Sequence, residues 1–360
     1  MNLVLKRQAG LTLVELMVAT TLSLVLLAGV LLVFTANKTT YQMQNGLGTL
    51  QENGRYAMRQ IAADLQLAGF GGCLSPRLDP RVVILANTPP PYLTNFTTGE
   101  FFDGRNDETA THEYGGAGGK KAMYQGPDYD GDGTIGDSGT DSIEIRGPLR
   151  SDVRFVTGEI LTTGTVDVIG TGSGFATDEY LMIADCAGAD IFRATGVTES
   201  GGDTQIEHTT TSTIPPGLLS RRYGADSVVM EFATHTYFIA DTGRVNSYNQ
   251  PITALYRYDG GDAIPQELVD GVEDLQVQFA LDTDGNGVVD DYQDPGGVTD
   301  WSEVMAVRVS LLLNSVEGAS ATEAPFTFFP NGTGQVTPAS GDLRLRQEFT
   351  ALVSVRNSVL

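Results

Sequence analysis

The feature that most constrains this chain is an uncharged apolar run close to its N-terminus. From Leu16 to Ala36 there are 21 consecutive residues without a charge. At about 1.5 Å per residue, a helix of that length spans roughly 30 Å, the thickness of the hydrocarbon core of a bilayer. The run therefore predicts a membrane-spanning helix. Lys6 and Arg7 precede it, which places residues 1–10 in the cytoplasm and the large C-terminal part on the far side.

The composition of the chain narrows the classes of protein to which it can belong. The 360 residues carry 22 Lys and Arg against 45 Asp and Glu, a net charge of −23, which argues against direct binding of nucleic acid. Hydrophobic residues at 41% allow a folded core, and 43 glycines predict a β-rich body with many turns. The sequence contains no GxSxG, HExxH or phosphate-binding glycine motif, so we expect no enzymatic activity.

One acidic residue interrupts the N-terminal apolar segment. A cleaved secretory signal normally has an apolar core of about 7 to 15 residues that ends in an A-x-A-like site, and neither feature is present here. Glu15 lies at the start of the apolar run, where an unpaired charge costs several kcal/mol. Neither a signal peptide nor a simple membrane anchor explains this carboxylate. We therefore expect another molecule to supply a partner for it.

The residues around Glu15 resemble a known processing signal. The stretch Gly10-Leu11-Thr12-Leu13-Val14-Glu15 is similar to the class III signal of type IV prepilins and type II secretion pseudopilins. The resemblance implies that prepilin peptidase cleaves between Gly10 and Leu11 and methylates the new N-terminus at Leu11, where the family usually has phenylalanine. It also implies a docking role for Glu15, whose carboxylate would meet the α-ammonium of a neighbouring subunit inside an apolar bundle.

The helical pattern continues beyond the membrane run. No proline occurs between Lys38 and Ala68, and apolar or small residues recur there at spacings of three and four, namely Leu47, Leu50, Gly54, Ala57, Met58, Ile61, Leu65 and Ala68. We expect this stripe to pack against the globular part of the same chain. A continuous helix over residues 11–68 would be a rod of roughly 85 to 90 Å, and Gly69, Gly71 and Gly72 would end it.

Several further segments resemble the PilW-type minor pilins of type IV pili. They are residues 53–73, the pair Asp185-Cys186, residues 267–279 and residues 345–357. The resemblance implies an α+β, pilin-like fold, in which the long N-terminal helix packs on an antiparallel β-rich head. The resemblance divides the chain into a leader peptide (1–10), a transmembrane or filament-core half of the helix (11–36), an amphipathic half of the helix (37–70) and an exported head with large loops and a possible subdomain (71–360).

Alternation of apolar and other residues predicts strands in the head. Three clear cases run over residues 275–281, 305–313 and 349–355, and shorter candidates are residues 142–146, 180–184, 228–232, 236–239 and 255–258. One antiparallel sheet on the lower half of the helix is the simplest architecture. A head of this size is large for a single pilin, so we expect insertions or two subdomains.

The chain has two cysteines, Cys73 just past the helix and Cys186 in the middle of the head. Because the head is exported, we expect the two to form a disulfide that ties the end of the helix to the head. Closing a loop of this size stabilises by roughly 4 to 5 kcal/mol in the chain-entropy model. The alternative is a pair of free buried thiols.

Two acidic loops follow the pattern D-x-D-x-[DN]-G, in which oxygens at positions 1, 3, 5, 7 and 9 converge on Ca²⁺. The first offers Asp128, Asp130, Asp132 and Thr134, and the second offers Asp282, Asp284, Asn286, Val288, Asp290 and Asp294. Both lack the glutamate expected at position 12, which predicts a Kd of about 10⁻⁴ to 10⁻³ M. The alternative is that both are solvated Asp-Gly turns without a metal.

These observations lead to one functional expectation with two alternatives. The PilW resemblance implies a minor pilin of the bacterial inner membrane, with one membrane pass and a periplasmic head, which primes assembly of a type IV pilus and stays near its extracellular tip. Its partners would be prepilin peptidase, other minor pilins, the major pilin, a tip adhesin and the inner-membrane assembly platform. The alternatives are a type II secretion pseudopilin of the J type and an uncleaved, membrane-anchored, calcium-dependent binding domain.

Overall fold

One long helix, α1 (Leu13–Leu67), organises the structure. The computed structural model describes residues 12–72, 82–85, 101–108, 112–116, 119–124, 126, 139–149, 153–160, 165–208, 219–260, 264–328 and 335–355. The continuous helix confirms the prediction from periodicity. It ends at Ala68 and Gly69, and Gly69 adopts a φ of +64° that glycine tolerates better than other residues.

The two halves of α1 have different surroundings. All residues from Leu13 to Asn45 are exposed, so this half stands free of the head over roughly 50 Å. From Leu50 onward the predicted stripe is largely buried in the main core. At Gly54 the helix packs tightly against a strand of the head, because a Cβ there would lie only 2.4 Å from ring atoms of Phe349. The amphipathic half of the helix is therefore held by the head of the same chain.

The head is built mainly of β-strands. In the described residues they are β1 (Val82–Ile84), β2 (Phe102–Glu108), β3 (Glu113–Tyr114), β4 (Lys121–Ala122), β5 (Thr140–Gly147), β6 (Val153–Phe155), β7 (Val166–Val168), β8 (Tyr180–Asp185), β9 (Gly188–Ser200), β10 (Asp203–His208), β11 (Val228–Glu231), β12 (Ala233–Val245), β13 (Pro251–Tyr258), β14 (Gln266–Asp270), β15 (Val272–Leu281), β16 (Asp291–Gln293), β17 (Val304–Asn314) and β18 (Arg346–Ser354). Two short 3₁₀ turns, Pro295–Gly297 and Trp301–Glu303, lie between β16 and β17. Every strand predicted from the sequence is present.

The strands form three larger sheets rather than the single sheet expected from the sequence. The orders are β14-β13-β12-β5-β2 in the central sheet, β16-β15-β17-β18 in the C-terminal sheet, and β6-β11-β8-β9-β10-β7 in a third sheet, where β1 also pairs with β9. Neighbours are antiparallel except in the pair β1 and β9. Most strands of the third sheet come from the segment between β5 and β12. This inserted segment forms a sheet of its own, which is why the head has more sheets than the single one expected.

The third sheet separates two hydrophobic cores. On β8, Met182 and Ala184 face the main core, whereas Leu181 and Ile183 face a second core. The main core also contains the buried stripe of α1 and the inner faces of the other two sheets. Because apolar side chains cover both faces of β8, the sheet forms a middle layer and the inserted segment has a core of its own.

Candidate functional site

The N-terminal end of α1 carries the predicted processing and docking residues. Gly10 and Leu11 lie outside the described residues. Thr12 and Glu15 form a capping box, in which the Thr12 hydroxyl accepts from the Glu15 N–H at 3.3 Å. In return, Glu15 Oε2 accepts from the Thr12 N–H at 2.9 Å and from its hydroxyl at 3.0 Å. Within the described part of the chain, Glu15 Oε1 accepts no hydrogen bond, so one oxygen of the carboxylate stays available.

The free half of α1 has the composition of a membrane segment. An 18-residue window of the helix reaches a mean hydropathy of 2.6, and none of that window is buried by the rest of the described chain. Large apolar side chains such as Leu26 (72% exposed) and Val25 (71% exposed) face outward. Exposure of these apolar side chains to water is unfavourable. The helix therefore needs lipid or other helices around it.

The second acidic loop connects β15 to β16. The carboxylate groups of Asp282, Asp284 and Asp290 come together, with one oxygen from each within 4.8 Å of the others. Oxygens bound to one Ca²⁺ at 2.3–2.6 Å can be that far apart, so the spacing fits a single ion. Gly285 and Gly287 give the loop its sharp turns with φ of +73° and +83°. Asp282 is 2% exposed and lies at the inner end of the group.

The other predicted ligands of this loop are placed differently. Asn286 donates to Asp284 Oδ2 at 3.0 Å, while its own Oδ1 accepts from the Val288 N–H at 2.8 Å. Asp294 lies beyond β16, where its Oδ1 accepts from Gln278 at 3.2 Å, and it is not part of the carboxylate group. The first acidic loop, with Asp128, Asp130, Asp132 and Thr134, lies outside the described residues.

The surroundings of Cys186 bear on the predicted disulfide. Cys186 lies in the tight turn between β8 and β9, whereas Cys73 lies outside the described residues. Gly72, the residue before Cys73, approaches Val228 so closely that a Cβ would lie 3.1 Å from its methyl group. Val228 pairs with Ala184, two residues before Cys186. The end of the helical segment is therefore brought close to the turn, and the disulfide stays a prediction.

A buried polar cluster at the junction of helix and head was not predicted from the sequence. Asp64 of α1 is 7% exposed, and its Oδ2 lies 2.7 Å from His235 Nδ1 and accepts from the Tyr237 hydroxyl at 2.5 Å. Burial and the nearby Asp64 carboxylate raise the pKa of Tyr237 well above its ordinary value. The sequence signal that could have indicated this cluster is Asp64, a charged residue on the buried side of the helix.

A second buried network joins β15 to β18. Glu273 accepts from Arg346 Nε at 2.6 Å, and Arg344 lies 3.3 Å from the same carboxylate. Burial alone would raise the pKa of Glu273, but the two guanidinium groups outweigh burial and lower it. Arg346 also donates to Asp342 at 2.6 Å. Two strands that do not pair with each other are thus connected by charged side chains.

Comparisons with known protein families match two parts of the chain, one at the N-terminus and one in the C-terminal third. Residues 236–357 match the family described as type IV pilus-assembly protein W, and residues 5–31 match the prokaryotic N-terminal methylation motif. No curated protein matches the chain significantly. Among solved structures, a type IV-like pilin from Thermus thermophilus matches at 16% identity and a TM-score of 0.23, covering 51% of this chain and 87% of the pilin.

Proposed function

Because residues 236–357 match the family of type IV pilus-assembly protein W and residues 5–31 match the N-terminal methylation motif, we propose that this chain is a minor pilin that helps to initiate type IV pilus assembly and stays at or near the pilus tip. The observation that carries the proposal is the free half of α1, Leu13 to Asn45, which is exposed along its whole length. A membrane covers this surface before assembly, and neighbouring helices cover it afterwards. The function lies in packing, and we expect no catalytic turnover.

Glu15 is the proposed docking group. Its Oε2 caps the chain's own helix, while its Oε1 has no partner in the described residues. Cleavage after Gly10 would create an α-ammonium at Leu11, and such a cation on a neighbouring subunit suits the available oxygen. In an apolar bundle this ion pair is much stronger than in water and selects one axial register.

The proposal includes a route and a set of partners. The precursor inserts in the inner membrane with its head in the periplasm, prepilin peptidase removes residues 1–10, and the mature chain enters the extracellular pilus. Its partners are other minor pilins, the major pilin, a tip adhesin and the inner-membrane assembly platform. The match over residues 236–357 favours this set over the partners of a J-type pseudopilin.

The first test is the mass and N-terminal sequence of the full chain extracted from membranes, with and without prepilin peptidase. We expect a mature chain that begins at methylated Leu11 only when the enzyme is present. Retention of residues 1–10 in both backgrounds would refute the proposal and favour the uncleaved anchored domain. Deletion of the gene should then remove pili while leaving type II secretion intact; the opposite result would favour the pseudopilin alternative.

A matched pair of variants separates docking from helix capping. Glu15→Ala removes both the cap and the carboxylate, whereas Thr12→Ala removes the two hydrogen bonds of the Thr12 hydroxyl and keeps the carboxylate with its bond from the N–H of residue 12. We expect both precursors to be processed, and only Glu15→Ala to be lost from sheared pili. Equal loss of the two variants would show that capping, rather than docking, is the role of Glu15.

We also propose that the loop of Asp282, Asp284 and Asp290 binds Ca²⁺ weakly. The proposal is supported by three carboxylates whose oxygens lie within 4.8 Å of one another. At a Kd of about 10⁻⁴ to 10⁻³ M, 10 mM Ca²⁺ would stabilise the fold by about 1.4 to 2.7 kcal/mol. Thermal unfolding of the full-length protein in detergent, with Ca²⁺ or chelator, measures this. Asp284→Asn should reduce the shift, whereas Asp226→Asn, an exposed control outside the loop, should not; equal shifts would exclude this loop.

A further inference from the structure

The charges of this chain are unevenly distributed between helix and head. Residues 68–360 carry 17 Lys and Arg against 42 Asp and Glu, whereas residues 37–67 carry three Lys and Arg against two acidic residues. One of those two acidic residues, Asp64, is buried against the head. The exposed face of this half of α1 is therefore cationic, on a chain that is otherwise strongly acidic.

Two of the three basic residues, Arg55 and Arg59, lie on the side of α1 that faces away from the head, together with the acidic Glu52. We call this surface the outer stripe, and it is a shallow groove of about 410 Å³ formed by Gly48, Gln51, Glu52, Arg55, Tyr56 and Arg59. Apart from Gly48, each carries a polar group, and Tyr56 is 45% exposed. The buried stripe lies on the opposite side of the same helix, at the same axial level. The outer stripe is thus the surface that the head leaves uncovered.

The two arginines of the outer stripe differ from the other arginines of the structure. Each of the other arginines in the described ranges has a hydrogen bond or an ion pair, such as Arg146 with Glu144 or Arg222 with Glu159. In that same part of the chain, Arg55 and Arg59 have neither. They lie four residues apart on one helix face, a spacing at which like charges destabilise a helix. An anionic partner would relieve this repulsion.

The position of the outer stripe argues against lipid as that partner. Arg55 lies 19 residues after Ala36, the last residue of the apolar run. Along a helix this is about 28 Å, whereas the polar headgroup region extends only about 5 to 8 Å beyond the hydrocarbon core on each side. The stripe is therefore too far from the headgroups to bind them while the apolar run spans the bilayer.

We propose that the outer stripe docks on the acidic head surface of a neighbouring pilin-type subunit, an inference that rests on the proposed function. The head of this chain, with 42 Asp and Glu against 17 Lys and Arg, is an example of the acidic surface that such a subunit would offer. The planar guanidinium groups of Arg55 and Arg59 can bind carboxylates in a bidentate manner, and Tyr56 between them adds an amphipathic ring. Glu15 sets the register at one end of α1, and the outer stripe recognises a head at the other end.

Photo-crosslinking in the bacterium that makes this chain tests the proposal. The full-length chain carries p-benzoylphenylalanine in place of Tyr56, and the adducts are identified by mass spectrometry. We expect an adduct with a pilin-type subunit through a segment rich in Asp and Glu. Arg55→Glu with Arg59→Glu should lower its yield about fivefold, on the scale of two exposed ion pairs, while the two corresponding lysine substitutions should keep most of it.

Two controls separate the possible failures. Arg193→Glu with Arg222→Glu makes the same charge change at exposed sites elsewhere on the head and should leave the yield unchanged. A second probe at Val25, in the apolar half of α1, reports subunit contacts that the proposed function requires. If the probe at Val25 gives subunit adducts while the probe at Tyr56 gives no adduct, or only lipid adducts, this inference is overturned and the proposed function is not. An adduct insensitive to charge reversal would also overturn it, and no subunit adduct from either probe would refute the proposed function.

Discussion

Replacing Arg346 with methionine tests the energetic role of the network between β15 and β18. The Arg346 side chain is 5% exposed and donates through Nε and Nη2 to the Glu273 carboxylate, at 2.6 and 2.9 Å. Methionine fills a similar volume but leaves the buried carboxylate, among the described residues, with Arg344 and the Asn314 amide as its remaining side-chain partners. The loss of one partner of a buried ion pair typically costs 3–5 kcal/mol because the other charge stays buried. Since Arg344 remains, we expect a destabilisation of about 3 kcal/mol, at the lower end of that range.

The single tryptophan provides the assay. Trp301 packs edge-on against Phe279 of β15, with ring centroids 4.9 Å apart, so its fluorescence reports on the C-terminal sheet. At about 2 to 4 °C per kcal/mol, the melting temperature of Arg346→Met should fall by about 6 to 12 °C. The measurement uses the full-length protein in detergent near neutral pH.

Two further variants decide whether the reasoning is correct. Arg222→Met removes an exposed arginine whose 3.3 Å pair with Glu159 is open to solvent, and we expect a change of less than about 0.5 kcal/mol. Adding Glu273→Gln to Arg346→Met removes the buried charge that has lost one of its two arginine partners and should restore part of the lost stability. If Arg346→Met is as mild as Arg222→Met, the network does not contribute as argued.

Three other predictions concern the stability of the folded protein. Gly54→Ala should destabilise the protein by about 1 to 3 kcal/mol because its Cβ would contact the Phe349 ring at 2.4 Å. Gly48→Ala has open space around it and should stabilise the protein by up to about 1 kcal/mol. Thermal melts compare the two variants. The folded pKa of Glu273 lies below its ordinary value of 4.5, so its contribution is present above pH 4.5 and should decrease as the pH falls below it, which acid titration of the melting temperature measures. Because we expect Cys73 and Cys186 to form a disulfide, Cys186→Ser or a reducing agent should lower the stability by a few kcal/mol, and a reducing agent should have no further effect on the variant; an unchanged melting temperature in both would contradict the bond.

Local patterns in the sequence were sufficient to predict α1 and the main strands. The helix follows from uninterrupted periodicity and the glycines at its end, and β15, β17 and β18 follow from strict alternation. The short edge strands were not predictable, because β1, β6 and β7 have three residues each and their pairing depends on distant chain segments. The parallel pairing of β1 with β9 joins residues more than 100 positions apart, which no local pattern indicates.

The candidate sites, too, were predictable only where their residues lie close together in the sequence. The structure brings the carboxylates of Asp282, Asp284 and Asp290 together, which the spacing D-x-D-x-N-G could indicate because all three belong to one short loop. Asp294 follows in sequence but lies beyond the paired strand β16, where pairing carries it away from the loop. The contact between Asp64 and His235 joins residues 171 positions apart, so only the folded chain reveals it.

The division of α1 into a free half and a bound half has a mechanical consequence for assembly. The buried stripe, the Asp64 cluster and the close contact at Gly54 hold the head against residues 50–67, whereas residues 13–45 are exposed. Any force or register that neighbouring subunits impose on the free half is therefore transmitted along a continuous helix to the head. A docking group at Glu15 and a recognition surface at Arg55 and Arg59 would then act through one continuous helix, so a subunit that fits at one end but not at the other would be rejected.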